Sequence, residues 1–182
     1  AKHNTMKKVL LVLAFAITFS VNAQMEDNSS STSATGEYSV AMGSGTIASG
    51  DYSTAMGRYT TASGDYSTAT GSRTKASGYM STALGSEADA TGERSTAMGY
   101  YTIASGNNST AMGYSAEASG ELSTAMGYNT TASGIASIAM GYYTRASGDY
   151  STAMGIETTA SGTVSTAMGY WTTASDRSSL VI

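Results

Sequence analysis

The chain has 182 residues, a formal net charge of −4, 21 Gly, 13 Tyr and 11 Met, and neither Pro nor Cys. Without cysteine there is no disulfide framework and no thiolate metal site, and a mildly acidic chain carries no electrostatic footprint for nucleic acid. Charged residues make up only 12% of it, about half the globular norm of about 25%, which fits either disorder or a repeat of small residues.

The first segment reads as an address. Residues 1–5 precede Met6 and read as upstream of the natural start. Met6-Lys7-Lys8 is a basic n-region, residues 9–19 are an apolar h-region, and Val21-Asn22-Ala23 places small residues where a signal peptidase reads. Residues 6–23 are therefore expected to be a signal peptide cleaved after Ala23, leaving Gln24 first. A membrane anchor is the competing reading, but the apolar run is short of the about 20 residues a span needs. Residues 24–35 are polar and Ser-rich and are expected to form a flexible lead-in. The single histidine, His3, lies before Met6, so the processed chain offers no imidazole for a metal or for acid–base chemistry.

From Gly36 to Gly169 a glycine recurs every seven residues, and only Gly45 is out of register. Alternate heptads differ, so the period is 14: Ser-Thr-Ala-Met-Gly, as at Ser53 to Gly57, alternates with Thr-x-Ala-Ser-Gly, as at Thr60 to Gly64. A coiled coil is excluded, because each helical glycine costs about 1 kcal/mol against alanine and no large apolar a/d pairs occur. Collagen requires glycine at every third residue. A strand–turn–strand–turn coil fits: five strand residues end at glycine, two residues turn, and glycine turns the corner at positive φ. About ten such coils over residues 36–182 would stack at about 4.8 Å into a rod on the order of 50 Å long.

Side chains alternate faces along a strand. The position between Thr and Ala of the second half-repeat holds Lys75, Asp89, Glu117 and Arg145, so it faces water, and the Ala48, Ala62, Ala76 series faces inward with the glycines. In the first half-repeat Ser53, Ala55 and Gly57 share one face, which by size belongs inside the coil. The other face carries a column of Met42, Met56, Leu84, Met98, Met112, Met126, Met140, Met154 and Met168, with Thr70 in the same series. An exposed column of this kind argues for a homo-oligomer with methionine at its axis. The alternative is that methionine points into the coil opposite alanine.

The pattern resembles the head repeat of YadA-like trimeric autotransporter adhesins, in which a Ser-Val-Ala-Ile-Gly core is followed by Ala-x-Ala-x-Gly. Ser39-Val40-Ala41-Met42-Gly43 is nearly that core, and Ala88-Asp89-Ala90-Thr91-Gly92 matches the second half. The resemblance covers residues 34–182. It implies an all-β, left-handed parallel β-roll, trimerised through the larger apolar residues and displayed on the outer surface of a Gram-negative-type cell. It also implies adhesion to host, matrix or other surfaces through protein or glycan ligands. The family's coiled-coil stalk and membrane β-barrel are not in the sequence. Ser179-Leu180-Val181-Ile182 stops one residue before the next expected glycine, so the chain reads as a fragment whose anchor, if any, lies outside it.

All 13 tyrosines fall in the two-residue slots after glycine. Tyr52, Tyr66, Tyr100, Tyr101, Tyr142, Tyr143, Tyr170 and Trp171 are the candidate ligand-facing corner aromatics. The alternative is that they stack on the next coil and shield its backbone. Asp51, Asp65 and Asp149 are isolated and do not form the dense Gly-Gly-x-Gly-x-Asp repeat of calcium β-rolls, and no cofactor motif is present. Abundant Ser and Thr lack a base to activate them, so no catalytic residue is expected. Two other functions compete with the adhesin head. One is a shaft of a secreted or phage-tail-type fibre. The other is an ice-binding face of Thr and Ser, whose array the charges at Lys75, Asp89, Glu117 and Arg145 interrupt.

Overall fold

The structure of the protein, a computed structural model, describes residues 31–182. The upstream residues and the expected signal peptide, residues 1–5 and 6–23, lie outside the described residues. The described residues form strands β1 to β22 in chain order and no helix. Odd-numbered strands are two residues long, from β1 (Ser33–Ala34) and β3 (Ile47–Ala48) to β21 (Thr173–Ala174). Even-numbered strands are five residues long, from β2 (Val40–Ser44) and β4 (Thr54–Arg58) to β20 (Thr166–Tyr170), and β22 (Leu180–Val181) closes the series.

The strands assemble into two parallel 11-stranded sheets, one of odd and one of even strands. Every residue pairs with its equivalent one repeat away, as in Thr54↔Thr68 and Ala55↔Ala69. The fold is thus a parallel β-solenoid with one coil per 14-residue repeat, as the spacing predicts. It begins earlier than the sequence suggests. Ser33 and Ala34, assigned above to a flexible lead-in, pair with Ile47 and Ala48. That pairing gives the odd sheet its eleventh strand, and β22, paired with β20, gives the even sheet its eleventh.

The space between the sheets admits only small side chains. Ala41, Ala55 and Ala69 of the even sheet meet Ala48, Ala62 and Ala76 of the odd sheet, all at 0% exposure. Threonine, in the Thr46 and Thr60 series, is the largest fully buried residue. The buried serines of Ser39 and Ser95 donate their hydroxyls to the carbonyls of Gly36 and Gly92, three residues earlier, at 2.7 Å. Ser109, one coil after Ser95, has no hydrogen-bond partner for its buried hydroxyl, and the same holds for Ser53 and Thr60.

The glycines do two different jobs, and only one series adopts the positive φ expected from sequence. Those of the Gly50 and Gly64 series are buried and have no positive φ. They are glycine because the coils touch there: a Cβ on Gly106 would lie 2.0 Å from the carbonyl oxygen of Gly120. Those of the Gly43 and Gly57 series do turn at positive φ, 111° to 132°, and also crowd the next coil. They end exposed or half-exposed, so Gly57 does not join Ser53 and Ala55 inside. Its φ, outside the extended region, breaks the simple alternation of faces.

The corner itself is made by the second residue after each glycine. Every seventh residue from Tyr38 to Ser178 is left-handed, with φ between 49° and 60° at the non-glycine positions. Gly45, out of register in the glycine count, occupies that same position with φ 67°. Left-handed backbone costs an L-residue roughly 1–2 kcal/mol. The ladder offsets this strain by hydrogen-bonding each such amide to the coil below, as in Tyr66 N–H to the Asp51 carbonyl at 2.7 Å. Asp and Asn in the slot just before serve the backbone as well. Asp51, Asp65, Asn107 and Asp149 accept the exposed amides of Glu37, Asp51, Glu93 and Ile135 through Oδ1.

Two substitutions test this reading by thermal unfolding. Val164 is β-branched, 50% exposed and left-handed at φ 59°, so Val164→Gly is expected to stabilise the rod by roughly 1 kcal/mol. Gly106→Ala must push backbone against backbone and is expected to cost about 3 kcal/mol, the upper range of overpacking.

Candidate functional site: a methionine face and tyrosine corners

The even strands turn Ser and Ala inward and Thr and Met outward, giving the burial alternation seen in β4. Met42, Met56, Leu84, Met98, Met112, Met126, Met140, Met154 and Met168 lie on this outward face, half-buried among their neighbours, and Met126 reaches 38% exposure. The placement of methionine opposite alanine inside the coil is thereby ruled out, because the interior has no room for it. The ladder aligns the column directly, as in Met98↔Met112 and Met112↔Met126. One break occurs, where Thr70 sits between Met56 and Leu84.

Tyrosines line both corners. At the corner after the long strands, Tyr100, Tyr114, Tyr128 and Tyr142 stack in series with centroids 5.2, 4.8 and 5.0 Å apart. Tyr101 and Tyr143, the left-handed residues beside them, pack edge-on against Tyr100 and Tyr142. At the other corner Tyr38, Tyr52 and Tyr66 stack at 5.1 and 4.9 Å. Tyr170 and Trp171 stack at 5.7 Å and are 67% and 65% exposed. The candidates singled out from sequence omitted Tyr38, Tyr114 and Tyr128. The signal was present: a 14-residue spacing joins Tyr100 to Tyr114, Tyr128 and Tyr142.

Phenol chemistry follows the packing. The Tyr101 hydroxyl bonds Glu87 and then Tyr100, which pushes its pKa up to about 12. Tyr128 is raised mainly by the neighbouring Tyr143, and Tyr52 mainly by desolvation, with Glu37 adding to it. Each of these shifts keeps the phenol neutral over a wider pH range.

On the odd sheet the threonine column is interrupted by a charged patch. Arg73, Lys75, Glu87, Asp89, Tyr101 and Ile103 line a depression of about 310 Å³. Arg73 pairs with Glu87 at 3.3 Å. Asp89 stands beside Lys75 in the ladder, but its Oδ1 is buried without a hydrogen-bond partner. Burial raises the Asp89 pKa and Lys75 only partly opposes this. No group of three His, Cys, Asp or Glu that could hold a metal ion occurs among the described residues. No helix among them is long and apolar enough to cross a membrane, which leaves β-barrels untouched.

A family model, the YadA head domain repeat, matches this chain in overlapping copies from residues 30–46 and 34–60 through 146–170 and 160–182. The chain belongs to the YadA head-repeat family. No curated protein matches it. The family is one of adhesin-like trimeric autotransporter heads, surface-exposed or extracellular, and its solenoid is structural, which weighs against an enzyme.

The Asp89 environment gives a pH test. Its folded pKa is raised, so the fold disfavours the charged carboxylate; this penalty is full above the folded pKa, shrinks as pH falls through it and is gone below the ordinary carboxylate pKa. Asp89→Asn is therefore expected to melt higher than the native chain at pH 7. The difference should close below about pH 4, where an ordinary carboxylate also protonates. A Tm series against pH reads both limbs.

Proposed function

We propose that this chain is the head of an exported surface adhesin, a homotrimer that attaches a cell to host, matrix or other surfaces through protein or glycan ligands. One observation carries the reading. The solenoid keeps nothing larger than threonine inside and leaves Leu84 and the methionines through Met168 in an unbroken outward run. Soluble monomers rarely expose a contiguous apolar patch above a few hundred Å². Covering the rest of nine large side chains contributes on the order of 10 kcal/mol per chain, taking about half of the full-burial value for each.

A flat sheet face meets its copies well around a symmetry axis, where the same column from each chain converges. The threefold count comes from the family, and the methionine column supplies the apolar surface such an axis buries. Export through the signal peptide expected at residues 6–23 fits the surface location of the family. The attachment surface then consists of what a trimer leaves outside: the tyrosine corners and the charged patch around Asp89.

Light scattering on the purified chain is expected to give the mass of three chains. Met112→Glu, in the middle of the column, is expected to shift the mass toward one chain at micromolar concentration while the β-sheet circular dichroism persists. A native chain that stays monomeric would sink the trimer. Beads coated with the chain should bind immobilised matrix protein or glycan more than beads coated with the dissociated variant.

A further inference from the structure

The stacked tyrosines are held by the backbone. The ladder makes Cα partners of Tyr100 and Tyr114, Tyr114 and Tyr128, and Tyr128 and Tyr142. Interplanar angles fall to 8° for Tyr114–Tyr128 and 3° for Tyr52–Tyr66. A ring with a neighbour on each face has no face left for a sugar. What reaches solvent is a row of phenol edges, exposed from 38% at Tyr128 to 60% at Tyr38. Each phenol is kept one coil from the next, so a reaction between two of them needs no diffusional encounter.

We propose that the two ladders, Tyr100 to Tyr142 and Tyr38 to Tyr66, are dityrosine cross-linking sites. A peroxidase acting with hydrogen peroxide is the oxidant. Two phenols each give up one hydrogen atom, and one hydrogen peroxide is reduced to two waters. The two phenoxyl radicals combine at carbons ortho to oxygen, forming one C–C bond. The C–H bond at each of those carbons then breaks, and its proton passes to the oxygen of the same ring, which restores both phenols. The product ties residue i to residue i+14, a covalent rung beside the hydrogen-bonded ladder.

Coupled rings cannot stay face to face, so they must swing edge to edge. Corner exposure leaves room for this. Edge contacts already exist at Tyr100–Tyr101, 4.4 Å, and Tyr128–Tyr143, 5.6 Å. Tyr150 is a built-in control. It is 62% exposed and left-handed like Tyr52, yet the equivalent positions one coil away are Ala136 and Val164. The proposal rests on neither the trimer nor the attachment role.

The test treats the dilute full chain with a plant peroxidase and hydrogen peroxide, then reads dityrosine fluorescence on a denaturing gel and maps linked peptides. The expected result is fluorescence in the single-chain band, with Tyr114–Tyr128 and Tyr38–Tyr52 among the links and Tyr150 absent from them. Tyr128→Phe keeps the ring but should lose both links to Tyr128 and retain Tyr38–Tyr52. Tyr150→Phe should change nothing. Links that include Tyr150 as often as Tyr128 would overturn the proposal. So would fluorescence confined to multi-chain bands, or tyrosine oxidation without any dityrosine.

Discussion

The gap between the two sheets is the constraint on which the rest of this molecule depends. Successive coils approach so closely at the glycines that one added methyl would meet a carbonyl oxygen at about 2 Å, as between Gly106 and Gly120. Across the coil, alanine faces alanine and nothing larger than threonine fits. A core this thin contributes little per residue, and the coil gains its cohesion from parallel ladders that run without interruption from one end to the other. Such a fold cannot take its large apolar residues inside. Methionine is excluded from the interior by volume, so an outward apolar column follows from the flatness of the coil.

The corners carry the strain that flatness imposes. A chain that reverses within two residues needs one of them left-handed, and here tyrosine, arginine, leucine and even valine accept that conformation. The cost of roughly 1–2 kcal/mol at each is tolerated because the amide of the strained residue bonds the coil below. Glycine stands two residues earlier, where the backbone of the next coil approaches most closely. Gly45 is the exception that marks the rule. It relaxes one corner and leaves the Tyr59 ring against its Cα.

Much of this was legible in the sequence. The 14-residue period gave the coil, and the tolerance of charge at Lys75, Asp89, Glu117 and Arg145 oriented the odd sheet. Size alone placed Ser53 and Ala55 inside. Three things were not legible. The first coil lacks the full motif, so Ser33 and Ala34 looked like part of a Ser-rich lead-in, and only pairing with Ile47 and Ala48 shows them as strand. The conformation of glycine could not be told from its spacing, because close approach and positive φ both demand the same residue. The stacking of Tyr114 and Tyr128 requires three-dimensional register, although their spacing contains it. The Met column lies on the outward face of the even sheet, where the alternation of side chains along the strand puts it.

A repeat this regular separates scaffold from surface. The positions that hold the coil together, Ala, Gly and the buried Ser and Thr, hardly vary along the chain. The slots after each glycine and the outward odd-sheet position accept tyrosine, arginine, glutamate, asparagine or isoleucine without disturbing the ladder. Outside the methionine column, chemical variety is confined to those positions, at intervals of one coil, about 4.8 Å. Where the same residue recurs in consecutive coils, as in the four tyrosines from Tyr100 to Tyr142, repetition itself creates a feature that no single coil possesses. The column of methionine and the ladders of tyrosine are two outcomes of that same arithmetic. One gathers apolar surface until it is too large to leave wet, and the other gathers phenols until each is within reach of the next.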